Sequence, residues 1–111
     1  MKDKELIELA AKAAGYEYLE NNGAIVSNGV PMVWNPLLDD GDALRLAVKL
    51  HINTRFLFDG CNNQYNEVWA EKGQVWACED IGMLGFEQLD ECAATRRAIV
   101  CAAAKIGKAM T

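Results

Sequence analysis

Two Asn-Gly pairs, Asn22-Gly23 and Asn28-Gly29, stand close together in "YEYLENNGAIVSNGVPMVW". Both central residues of a type I′ turn need positive φ, and Asn and Gly reach it most cheaply. An Asn-Gly pair among apolar residues therefore marks a hairpin. A turn at Asn22-Gly23 sets Leu19 opposite Val26 and Glu20 opposite Ile25. Only a four-residue piece separates the pairs, which leaves open which of them is an ordinary loop. Pro31 lacks an amide hydrogen, so the last piece of this region belongs at a sheet edge.

Helical periodicity lies on either side. Over residues 3–14, Leu6, Ala10 and Ala13 share a face with Ile7 and Ala14 beside them, and Lys4, Glu8 and Lys12 lie opposite. Gly15 supplies a left-handed stop. Such an alanine-lined stripe should lie closely on something flat. The second helix begins in "WNPLLDDGDALRLAVKL". Leu44, Ala47 and Val48 line one side and Ala43, Leu46 and Leu50 another, leaving Arg45 and Lys49 as the polar stripe. A helix this apolar is expected to be largely covered, at the centre of the core. A last helix is expected over about 86–109, with Cys92, Ile99, Ala103, Ile106 and Met110 at helical spacing. Its early acids Glu87, Asp90 and Glu91 and late bases Lys105 and Lys108 suit the helix dipole.

Between the second and third helices, "TRFLFDG" alternates, Phe56 and Phe58 against Arg55 and Leu57. "NEVWAE" and "QVWACE" flank Lys72-Gly73, and a two-residue turn there faces Trp69 with Trp76 and Val68 with Ala77. A longer loop with shifted register is the alternative, since Lys suits a type I′ turn poorly. The two-residue register puts the tryptophans on one sheet face and small aliphatics on the other. Residues 61–66 read as a polar loop and 79–86 as a glycine-punctuated connection. Short links favour antiparallel pairing. The expected fold is α+β in the order α-β-β-α-β-β-β-α, a single antiparallel sheet with three helices packed on it, in one domain spanning residues 1–111.

The chain of 111 residues is long enough for a real core, and with 51% hydrophobic and 24% charged residues it is too apolar for disorder. "MKDKELIELAAK" lacks the apolar run of a signal peptide, and no segment reaches the roughly 18 apolar residues of a membrane span. The expected location is the cytoplasm. A net charge of −5 disfavours nucleic-acid binding, which needs clustered Lys and Arg; acidic mimicry of nucleic acid is conceivable from the sign alone.

The succession "AAGY", a Gly-rich hairpin, "WNPLLDDGDALRLAVKLHI", an aromatic strand with "FDG", a Trp-bearing hairpin and "ATRRAIVCAAAKIG" resembles the bacteriophage ABA-sandwich family of small phage and prophage proteins. The resemblance spans nearly the whole chain on loose motifs. It implies an α/β sandwich of phage or prophage source, acting in the bacterial host's cytoplasm, and carries no activity or functional residue with it.

The chemistry-bearing residues have structural readings. Asp39 or Asp40 can cap the second helix, and Asp42 falls in its first turn, where the dipole stabilises a carboxylate by about 0.3–1 kcal/mol. The three aspartates lack calcium-loop spacing, and as carboxylates they would repel a phosphate. Holding Mg²⁺ is their alternative role. His51, the single histidine, excludes any two-imidazole metal site and reads as a partly buried helix-end residue. Cys61, Cys78, Cys92 and Cys101 show no zinc spacing and read as reduced thiols. Arg96 and Arg97 point about 100° apart on a helix, so they join different faces, with Glu91 or nearby acids as ion-pair partners.

Trp69 and Trp76 are the most informative pair. Under a helix they are core. On an open face, beside Glu67 and Glu71 and rimmed by Asn62, Asn63, Gln64 and Tyr65, they form a partner surface. No catalytic set and no cofactor site is legible. The favoured expectation is a non-enzymatic accessory protein acting by contact with a host or phage protein, in one form as an inhibitor of a host defence or regulatory protein. A divalent-metal or nucleotide binder using Asp39, Asp40 and Asp42, and a homo-oligomeric module, are the alternatives.

Overall fold

The computed structural model of the protein describes residues 2–19, 23–59, 64–80 and 91–110. The chain runs α1 (Asp3–Ala14), β1 (Glu17–Leu19), β2 (Ala24–Ser27), β3 (Val30–Val33), α2 (Asp40–Leu50), β4 (Asn53–Asp59), β5 (Gln64–Lys72), β6 (Val75–Asp80) and α3 (Glu91–Ala109). This is an α+β fold with two antiparallel three-stranded sheets, β1-β2-β3 and β4-β5-β6, rather than one sheet. The first region contributes three strands, not two. The expected polar loop and Gly-rich connection fall mostly outside the described residues, as do Cys61 and positions 86–90 of the expected last helix.

α1 begins and ends where its periodicity predicts, and Gly15 at φ 79° closes it, its amide bonded to Lys12 O. Of the two Asn-Gly pairs, the second is the two-residue turn. Asn28 and Gly29 have φ of 54° and 79°, and Ser27 pairs with Val30. Both positive angles fit type I′. In the first hairpin Leu19 pairs with Ala24 and Tyr18 with Ile25, so the register expected for a turn at Asn22-Gly23 does not form. Pro31 lies on the edge strand β3, as its missing amide hydrogen requires.

In the second sheet the turn sits at Gly73-Gln74, with Lys72 opposite Val75. Gly73 takes φ 60° and Gln74 stays at negative φ, the pattern of a type II′ turn, which wants glycine first. Lys72-Gly73 would have put lysine there. The shift moves Trp69 opposite Cys78 and Glu71 opposite Trp76, so the two indoles are diagonal neighbours.

α3 is the centre of the molecule. It packs on β5 and β6 on one side and takes α1 and α2 on others. The alanine stripe of α1 therefore meets another helix, not a flat sheet, and three helices do not all lie on strands. The buried face of α3 is small: Ala94, Ala98, Ala102, Ala103 and Ala104 with Ile99 and Val100. Cys92 and Met110, expected on its apolar stripe, are exposed. Short side chains let two helix backbones approach, and they let Val68, Ala70 and Ala77 of the second sheet lie against α3. Trp34 closes the other end, its ring 5.7 Å from that of Tyr16, edge to face. Among the described residues no helix is long and apolar enough to cross a membrane.

Candidate functional site

The aspartate cluster is a helix start. Asp39 is the N-cap of α2, its Oδ2 accepting from the Asp42 amide at 2.8 Å. Asp42 reaches back to accept from the Asn35 amide at 2.9 Å and takes the Arg45 guanidinium at 2.7 Å on its other oxygen. Asp40 faces Arg96 across the molecule at 2.5 Å. Each carboxylate is thus oriented by an amide or a guanidinium, which stabilises orphan helix amides and ties α2 to α3. Among the described residues no group of three His, Cys, Asp or Glu could hold a metal ion.

The two adjacent arginines diverge as their helical spacing demands, to partners other than Glu91. Arg96, nearly buried, donates to Leu37 O at 2.8 Å as well as to Asp40. Arg97 pairs with Asp3 of α1 at 2.9 Å and approaches Glu79 of β6 at 3.6 Å. Nearby, the half-buried Cys101 thiol lies 3.8 Å from Glu79. Burial pushes its pKa up, and the Glu79 charge adds to that. Cys78, Cys92 and Cys101 are all thiols.

The tryptophans face away from α3, opposite Val68, Ala70 and Ala77. Their rings stack at 4.8 Å with 22° between planes. The Arg55 guanidinium lies 5.2 Å over Trp69, and the Lys105 ammonium lies 5.1 Å over Trp76. Following the strand order β4-β5-β6, the row runs cation, indole, indole, cation. Glu71 holds Arg55 at 3.0 Å, and Lys105 donates to Trp76 O at 2.7 Å. Glu67 sits half-buried on β5 between Leu57 and Asp80. Trp76 remains 47% exposed. Tyr65 pairs with Phe58 along β5, but its side chain lies outside the described residues, as do Asn62 and Asn63. The structure thus brings Trp69, Trp76, Glu71 and Arg55 together, with Arg55 over one indole and Lys105 over the other.

The open surface is elsewhere. Leu44 and Val48, expected to be covered, are 64% and 65% exposed, and Phe56 is 41% exposed. They rim a bowl of about 670 Å³ between α2, the start of β4 and the first turns of α3, with Ala43, Ala47, Ile52 and Ile99 as its floor. α2 packs on α3 but diverges from β4 after Ile52, and the bowl is the wedge between them. His51 stands at the hinge of that wedge. It caps α2 in the left-handed conformation, φ 57°, and is exposed rather than partly buried. Its amide bonds to Val48 O, and Ile52 donates to Ala47 O at 2.8 Å. The lining also carries charged groups, Asp40 paired with Arg96 and Glu91 at the start of α3, and the polar side chains of Asn53, Thr54 and Thr95. Sequence reading missed the bowl. Its available signal was that α2 carries two apolar stripes, one more than a single packed face uses.

Comparison with protein-family models, with curated proteins and with solved structures finds no match to this chain.

Proposed function

We propose that the protein is a small non-enzymatic accessory protein of phage or prophage origin that acts by binding protein, with the α2/β4/α3 bowl as its contact surface. The observation that carries this reading is the exposure of Leu44 and Val48 on one side of a helix whose other side is core. Leaving two aliphatic side chains in water forfeits about 1.5–3 kcal/mol each, which a partner that covers them recovers. The bowl is wide and lined by Ala43, Leu44, Ala47, Val48, Ile52 and Ile99, and its Asp40 and Arg96 are spent on each other, which favours apolar contact over chemistry. Its occupant is a polypeptide segment that inserts apolar side chains and carries no charge into the floor.

The test compares the wild-type protein with the Leu44→Glu/Val48→Glu variant as bait in bacterial lysate. Both side chains are exposed, so the variant keeps its fold. The reading expects a polypeptide held in stoichiometric amount by the wild type and lost by the variant. Identical recovered sets overturn it.

A further inference from the structure

We propose that the bowl is filled by strand β3 of a second copy, which adds to the outer side of β4 and joins the two three-stranded sheets into one antiparallel sheet across copies. This rests on the reading of the bowl as a protein-contact surface and names its occupant.

Hydrogen-bond parity decides which backbone groups are available. In antiparallel pairs, successive residues turn their N–H and C=O alternately to one neighbour and the other. Lys72 and Val75 flank a two-residue turn and so bond to each other, which turns Glu71, Trp69 and Glu67 of β5 toward β4. Their partners Asn53, Arg55 and Leu57 are satisfied by them, and Thr54 presents its N–H and C=O to the outside. β4 is an edge strand of its sheet, and Thr54 has no partner for those groups among the described residues.

The same count applied to β3 gives a matching set. Ser27 and Val30 flank the Asn28-Gly29 turn, and Trp34 N bonds to Gly23 O at 3.1 Å, so Val30, Met32 and Trp34 bond inward. Val33 therefore turns both its N–H and its C=O outward, with no partner for them among the described residues. Placed opposite Thr54, Val33 of a second copy exchanges two backbone hydrogen bonds with it.

Side chains agree with that register. Residues directly opposite in an antiparallel pair project from the same face. Thr54 projects into the bowl, so Val33 of the copy projects there too, and Pro31, two residues along, lies on the same side. Val33 is 83% exposed in the single chain, and every residue of β3 is exposed. An uncharged aliphatic strand with an open edge, and a bowl with exposed Leu44, Val48 and Phe56 beside an open edge, are both aggregation hazards alone. Joined, each covers the other. The resulting sheet has the strand count of three plus three, the usual size for a stable sheet. The contact uses different patches on the two copies, so assembly proceeds head to tail unless the rotation closes it.

The experiment is sedimentation of the purified full chain from micromolar to millimolar concentration, for the wild type, Thr54→Pro and Val33→Asp. Thr54→Pro removes only an outward N–H on an edge strand, and far-UV circular dichroism and melting confirm its fold. Val33→Asp alters a side chain that is mostly in water. The proposal expects concentration-dependent association of the wild type, strengthened by salt because each copy carries a charge of −5, and weakened about tenfold or more by either variant. A wild type that stays monomeric throughout overturns it, as does association unchanged by Thr54→Pro. Either result leaves the contact-surface reading standing or falling on the Leu44→Glu/Val48→Glu bait comparison alone.

Discussion

Gly107 of α3 passes Leu9 of α1 so closely that a Cβ added at Gly107 would overlap the Leu9 carbonyl oxygen and lie 2.9 Å from its carbon. The two helices touch backbone to backbone there, over a seam of Ala10, Ala11, Ala14, Ala103 and Ala104. Gly107→Ala inserts a methyl where no side chain can move aside. Overpacking of this kind costs about 1–3 kcal/mol, although Ala favours helix over Gly by nearly one. Urea unfolding should show a lower midpoint at unchanged slope. A midpoint at or above wild type would mean the seam is looser than described.

Asp39→Ala removes the side chain that caps α2. The expected loss is about 0.5–2 kcal/mol, with Asp39→Asn nearly neutral, because Asn caps as well as Asp. Thermal melting measures both. Added Mg²⁺ should leave the wild-type melting temperature where it was. A rise with Mg²⁺ that disappears in Asp39→Ala would make the cluster a cation site instead.

Arg96→Leu takes the donor from Leu37 O and the partner from Asp40, leaving a carbonyl and a carboxylate without their guanidinium. Because Arg96 is nearly buried, the expected cost is about 1–3 kcal/mol, read by denaturant unfolding. Arg97→Leu, whose pairing with Asp3 is largely in solvent, should cost well under that.

Cys101 should react more slowly with an alkylating agent than exposed Cys92. Its raised pKa leaves less thiolate at any given pH, and burial limits access. The same shift has a sign for stability. The folded state favours the protonated thiol more than the unfolded state does, so its contribution is complete below the unfolded thiol pKa. That contribution is lost as pH rises through the folded value. Cys101→Ser, compared with wild type across alkaline pH, isolates that loss, and parallel curves would contradict it.

What the sequence disclosed was local. The bounds of α1, its Gly15 stop, the Asp39 cap and the edge position of Pro31 each follow from a few adjacent residues and backbone sterics. The turn at Gly73-Gln74 slipped by one because lysine before glycine reads equally as strand end or turn start, until the positive φ is known to fall on the first turn residue. The number of sheets depends on whether β3 meets β4 within one chain, a long-range choice that neither strand encodes in its own pattern. For α2, periodicity marked Leu44 and Val48 as apolar but could not say that, among the described residues, nothing comes to cover them. Strand alternation puts Trp69 and Trp76 on one sheet face but does not say whether a helix covers it, and the cations lying over the rings come from β4 and α3, distant in sequence.

This molecule is expected to meet its partner through the bowl and not through the tryptophan row. Methyl and indole resonances report both surfaces in one sample. On titrating the captured polypeptide, or on concentrating the chain itself, the methyls of Leu44 and Val48 should shift while the indole N–H signals of Trp69 and Trp76 stay in place. Indoles that move while those methyls remain silent would place the contact on the tryptophan row instead.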